Sequence, residues 1–135
     1  RSPYPSANFW LNDDLECIHG DIVRGKGGQT AEAYIREVGH SILYGHVHRL
    51  EKISRTLWRR DQMVVCTAAS PGTLAIPDGP IPRAARNPNW QQGFGLIYYE
   101  REGDRHQVNL YSIQDGQCFF NGRHLDGREL EREVA

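Results

Sequence analysis

Two short apolar runs, Leu15-Glu16-Cys17-Ile18 and Ser41-Ile42-Leu43-Tyr44, each end where a glycine and a histidine adjoin, at His19-Gly20 and at Gly45-His46. A segment of helical period lies between them. Gly25-Lys26-Gly27-Gly28 cannot continue regular structure and releases into Thr30 to Val38, where Ala31, Tyr34, Ile35 and Val38 recur at helical spacing. Thr30 can cap the start of that helix and Gly39 can end it. With Leu15 to His19 and Ser41 to Tyr44 as strands, the pattern is a βαβ unit. Its crossover is almost always right-handed and sets the two strands parallel, so His19 and His46 are expected at the same edge of one sheet. Open α/β sheets collect their ligands at that edge, the carboxyl ends of the strands.

The tetrapeptide Gly45-His46-Val47-His48 sharpens the expectation. Alternate residues of an extended segment point the same way, so His46 and His48 can aim both rings into one pocket, and Gly45 permits close backbone approach. Neutral imidazole is the commonest side-chain ligand for zinc, manganese and iron. A single histidine beside a strand is more often a hydrogen-bonded structural residue than a ligand. Three of the six histidines on strand-end glycine turns favour a metal role for His19, His46 and His48. His40, His106 and His124 lack a partner motif and are read as structural.

Beyond His48 the pattern turns to antiparallel β. Glu51 to Arg59 and Gln62 to Ala69 flank a turn at Arg60-Asp61, and Gly93 to Glu100 and Arg105 to Ile113 flank Glu102-Gly103-Asp104. Ile76 to Asn89 holds Pro77, Pro80, Pro82 and Pro88 and reads as a long loop, a length that suggests a role near substrate. The organisation expected is loop over 1–14 with Trp10 in it, βαβ ligand unit over 15–48, antiparallel β over 49–122, and a charged terminal helix over 126–134. One core suffices for 135 residues, of which 39% are hydrophobic. No apolar run approaches the ~18 residues of a membrane span and no signal-peptide pattern opens the chain, so a cytoplasmic location is expected. Cys17, Cys66 and Cys118 are an odd, widely spaced set, which argues against a disulfide framework. Cys17 and Cys66, in apolar runs, are expected to be buried thiols. A formal net charge of -1 gives no global attraction to nucleic acid.

These residues resemble the calcineurin-like metallophosphoesterases, over roughly residues 10 to 75. Ile18-His19-Gly20-Asp21 looks like the family's fourth motif, whose histidine binds one of two metals. Gly45-His46-Val47-His48 looks like its closing motif, whose first histidine shares that metal while the second binds the other. Ser70-Pro71-Gly72-Thr73 is similar to an Asn-Pro-Gly-Ser turn found further on. The family's Asp-x-His, Gly-Asp-x-x-Asp and Gly-Asn-His-Asp/Glu motifs are not present before His19.

The resemblance therefore implies the C-terminal half of a four-layer αββα sandwich, cut, cleaved or split from its parent. It implies a phosphodiesterase or phosphatase with two divalent metals, manganese first, then iron, zinc or nickel. The remaining ligands would come from an N-terminal half or a second chain. That partner would also cover the hydrophobic edge left beside Leu15 to Ile18. Arg24 and Arg49, and with them Lys26, are candidates to neutralise the substrate phosphate. A hydrogen bond from Asp21 to a ligand imidazole is the expected support of the site, while Glu16 and Glu51 read as solvated strand residues. The competing reading is a catalytically inactive interaction or regulatory module derived from the family. Arg55, Arg59 and Arg60 with Trp58 and Trp90 would then offer a surface for single-stranded nucleic acid, although core or edge packing is the plainer role for the tryptophans.

Overall fold

The computed structural model describes residues 8–76 and 88–129. The fold is mixed α/β and mostly strand. In chain order it runs β1 (Phe9–Trp10), β2 (Leu15–Ile18), α1 (Gln29–Val38), β3 (Ser41–Tyr44), β4 (Leu50–Arg59), β5 (Gln62–Pro71), β6 (Gly93–Tyr99), β7 (His106–Ser112), β8 (Gln117–Phe120) and β9 (Arg123–Asp126). β1 to β5 form one five-stranded sheet in the order β1-β2-β3-β5-β4, and β6-β7 and β8-β9 are separate hairpins.

The βαβ unit is present. β2 and β3 pair in parallel from Leu15↔Ser41 to Ile18↔Tyr44, which brings the ends of both strands to one edge. α1 buries Ala31, Tyr34 and Ile35 against Ile42, Tyr44, Cys66 and Ala68, so a helical stripe meets one face of the sheet. Gly39 ends the helix in the left-handed conformation, its N–H donating to Ile35 O. The start differs from expectation. Gly28, at φ 78°, is the N-cap, and Thr30 lies inside the helix, where its Oγ1 accepts from Arg24 N instead. A chain folding back through the glycine run needs a left-handed residue at the helix entrance, and glycine takes that conformation without a Cβ penalty.

Three further expectations are corrected. Residues Phe9 and Trp10 leave the expected loop to pair antiparallel with Cys17 and Glu16, so β1 covers the β2 edge that was expected to lie open. β5 is not wholly in an antiparallel region: it runs parallel to β3 at Ile42↔Ala68 and Leu43↔Ala69 while pairing antiparallel with β4 along its whole length. Strand structure also continues past residue 122 into β9, and Asp126, expected to open the terminal helix, closes that strand. Residues 127–129 are helical, and the rest of the terminal segment, like 77–87 of the proline-rich loop, lies outside the described residues.

The β4-β5 hairpin turns at Arg60 and Asp61, both at positive φ (47° and 67°), the two-residue geometry that matches strand twist. Its alternation sends Ile53, Leu57, Val64, Cys66 and Ala68 toward α1. Trp58, Met63 and Val65 take the other face and stay exposed, Trp58 at 72%, against the expectation that it packs. Among the described residues no helix is long and apolar enough to cross a membrane.

Candidate metal centre

The parallel pair delivers His19 and His46 side by side. Where β2 and β3 end, Gly45 N–H donates to His19 O at 2.9 Å, and a Cβ on Gly45 would stand 3.4 Å from that oxygen. The chain then bends sharply. Val47 N–H donates back to Gly45 O at 2.7 Å around His46, whose φ is 66°, and His48 follows at φ 57°. An i to i+2 bond around a positive-φ residue is the rare, strained form of γ-turn. Two histidines in a conformation disfavoured for residues with a Cβ, side by side at a strand end, is the kind of strain that persists at functional sites.

The result is a pair of ring nitrogens facing each other. His19 Nε2 lies 3.2 Å from His46 Nδ1, with the rings edge to face at 72°. That distance suits one N–H donating to the other ring. It also suits a shared cation, because two nitrogens each ~2.05 Å from one tetrahedral ion stand roughly 3.3 Å apart. His48 lies near this pair with its ring against Trp90, centroids 4.5 Å apart. Its Nδ1 is buried and has no hydrogen-bond partner among the described residues. A buried polar atom without a partner is costly, and an imidazole nitrogen in that state is chemically suited to a cation. Burial first, then the neighbouring His46 and His19, holds the His48 ring below the ordinary histidine range, which favours its neutral form, with one ring nitrogen able to donate a lone pair. Among the described residues no three His, Cys, Asp or Glu side chains close on one point at metal distance. His19 and His46 converge as a pair, with His48 beside them turned toward Trp90.

The carboxylates expected nearby have other partners. Glu16 is buried and binds His40 Nε2 at 2.7 Å. Glu51 is buried as well, with Oε2 accepting from Gly28 N at 2.7 Å and Oε1 accepting from the Tyr44 hydroxyl. Both were expected to be solvated. The parallel strands place Glu16 between β1 and β3, and the turn after His48 swings Glu51 under the glycine loop, so neither faces water. Asp21 is exposed, and its described bond is through the backbone, its N–H donating to Tyr34 Oη at 2.8 Å together with Ile22 N–H. That hydroxyl fills the space beside Gly20, where a Cβ would come within 2.5 Å of it.

The basic candidates separate. Arg49 is buried and donates to Lys26 O, tying the histidine turn to the glycine loop. Arg24 is exposed and lines a cleft along α1 with Gln29, Glu32 and Arg36, and Lys26 is exposed. Ser70 and Pro71 close β5, the third parallel strand, and Gly72-Thr73 follow, so the segment falls at the same carboxyl edge as the histidines. Among the described residues Ser70 Oγ is also a buried side-chain polar atom without a hydrogen-bond partner.

Trp90, read from the sequence as part of a nucleic-acid surface or as packing, and Gln91, which was not singled out, brace the turn instead. Gln91 N–H donates to His48 O at 3.0 Å, Leu50 N–H donates to Gln91 Oε1, and Thr73 N–H donates to Gln91 O. Gly72, at φ 79°, is needed for this docking, since a Cβ there would stand 2.5 Å from Gln91 O. The signal available was the aromatic residue beside two amides at the end of the proline-rich loop. No protein family, curated protein or solved structure matches the chain.

Proposed function

We propose that this chain supplies one wall of a metal-dependent phosphoesterase centre, with His19 and His46 ligating one divalent cation and His48 a second. The 3.2 Å approach of His19 Nε2 and His46 Nδ1 at the carboxyl edge of a parallel strand pair carries the reading. The strained turn and the partnerless His48 Nδ1 support it. Two divalent cations held together, manganese first or else iron, zinc or nickel, lower the pKa of a bound water and neutralise charge in an in-line displacement at phosphorus. The chain's own part is to present neutral imidazoles in fixed positions. Arg24 and Lys26 are exposed basic groups for the substrate phosphate, and Arg49 acts by holding the glycine loop.

Glu16 and Glu51 are not free to bridge two cations, because both are buried, on His40 and on Tyr44 with Gly28. We therefore retain the four-layer αββα sandwich as the proposed whole, this chain being its C-terminal half and an N-terminal half or second chain completing it. Titration of manganese into wild type and the His19→Ala, His46→Ala and His48→Ala variants tests the site. Each of the first two variants should weaken binding at least about tenfold. Equal affinity in wild type and His46→Ala defeats the reading. The chain by itself should turn over bis(p-nitrophenyl) phosphate poorly even with manganese, and robust turnover abolished by His46→Ala would place all the ligands within these residues.

One observation favours the second reading, a non-catalytic interaction module. Trp58, Met63 and Val65 are exposed on one face of the β4-β5 hairpin, near the exposed Arg60 at its turn. Salt-sensitive binding of a single-stranded oligonucleotide, lost in Trp58→Ala, would support it.

A further inference from the structure

The anchoring of Trp90 leaves part of its ring accessible in a cleft of about 640 Å³ lined by Ile76, Gln92, Ser112, Gln114 and Asp115. The walls have a consistent chemistry. Trp90 and Ile76 offer apolar surface for a flat ring. Gln92 and Gln114 carry side-chain amides with both donors and an acceptor, and neither amide makes a hydrogen bond within the described chain. The charged group among the lining residues is the Asp115 carboxylate, which disfavours a second phosphate and favours an amino group. Flat apolar surface with unengaged amides suits an uncharged heteroaromatic ring that presents donors and acceptors on its edge.

The position adds the second half of the argument. Trp90 touches the His48 ring edge to face at 4.5 Å, and the backbone that follows it is fixed, Gln91 N–H donating to His48 O and Gly93 N–H to Thr73 O. A group resting on the indole is therefore held next to the histidine edge at which the phosphate is proposed to react. Base–aromatic stacking contributes on the order of tenfold or more to affinity and does not depend strongly on which base is present.

We propose that this cleft is a nucleobase subsite, so that the phosphoester brought to the histidine edge is a nucleotide. The phosphate half of the proposal rests on the phosphoesterase reading; the base half does not.

Binding of AMP, ribose 5-phosphate and adenosine to the manganese-loaded chain, followed by calorimetry, tests both halves. AMP should bind at least about tenfold more tightly than ribose 5-phosphate, and adenosine should bind saturably. Trp90→Leu, checked for an unchanged circular dichroism spectrum, and Gln114→Ala, at an exposed position outside the core, should each reduce the AMP advantage. AMP binding no tighter than ribose 5-phosphate overturns the subsite, as does an advantage that survives both variants. If adenosine and AMP bind alike through Trp90, with no effect of manganese or of His46→Ala, the base subsite stands and the phosphoesterase reading falls instead.

Discussion

Tyr44 donates a short hydrogen bond to Oε1 of Glu51, and the residues between the two are the turn that carries His46 and His48. The other oxygen of Glu51 accepts from Gly28 N–H, so one buried carboxylate fastens the end of β3, the start of β4 and the entrance of α1 together. The histidines sit on a loop whose two ends are tied, which is how a strained turn can be held in one conformation.

Tyr44→Phe should therefore be costly out of proportion to one oxygen atom. It leaves a buried carboxylate oxygen without its partner, a loss of about 1–3 kcal/mol that urea unfolding at neutral pH would read. The same bond predicts an alkaline limb. Burial first, then the bond to Glu51 and its charge, pushes the Tyr44 hydroxyl well above the ordinary tyrosine range. The folded state keeps a proton that the unfolded chain releases near pH ~10. Its contribution is thus fully present below that pH and is lost as pH rises above it. A stability curve through that region with the same slope in wild type and Tyr44→Phe would show that Tyr44 is not the group responsible.

The βαβ unit was legible because its signals are local. Apolar runs, helical spacing and glycines at both ends of α1 all lie within a few residues of what they determine, and they placed His19 and His46 together. What escaped depends on hydrogen-bond partners that apolar spacing does not show. β1 pairs with β2 across a turn whose fixing bonds, from Leu15 N–H and Asp14 N–H to Asn12 Oδ1, follow from a single asparagine. Glu16 and Glu51 look solvated in a list of alternating residues. His40 and Tyr44 with Gly28 bury them, and nothing in the spacing announces those partners. Trp90 reaches His48 from the far end of the proline-rich loop.

That distant brace makes Gly72 a test of the site's outer support. Gly72→Ala places a Cβ against Gln91 O and forces a side chain into φ 79°, so destabilisation of at least about 2 kcal/mol is expected in thermal or urea unfolding. Gly25→Ala, where a Cβ meets no atom within 4 Å, should stay within about 0.5 kcal/mol of wild type. Equal effects at the two glycines would mean that the Gln91 contact does not constrain the fold.

Acid should expose His48. Its folded pKa lies below the ordinary value because of burial, with His46 and His19 adding to the effect. Between that lowered pKa and the unfolded value of ~6.5, the unfolded chain binds more protons than the folded one. Stability is then fully present above pH ~6.5, falls as the pH drops through that value, and levels off once the folded ring also protonates. His48→Gln should flatten this limb, and urea midpoints measured from neutral pH downward would show it. Parallel curves for wild type and His48→Gln would assign the acid loss elsewhere.

The γ-turn at His46 allows stability and ligation to be separated. A non-glycine residue held at φ 66° stores on the order of 1–3 kcal/mol of strain, and glycine relieves it at an unfolded-state entropy cost of about 0.4–1 kcal/mol. His46→Ala and His46→Gly both delete the imidazole, so both should lose manganese affinity alike. Only the glycine variant escapes the strain. In the absence of metal, His46→Gly should therefore unfold at a higher urea concentration than His46→Ala, by about 1 kcal/mol. If the two variants unfold together, the turn stores no strain at this position. If His46→Gly binds manganese as wild type does, the ring at His46 is not a ligand, and the bond to His19 is a structural contact.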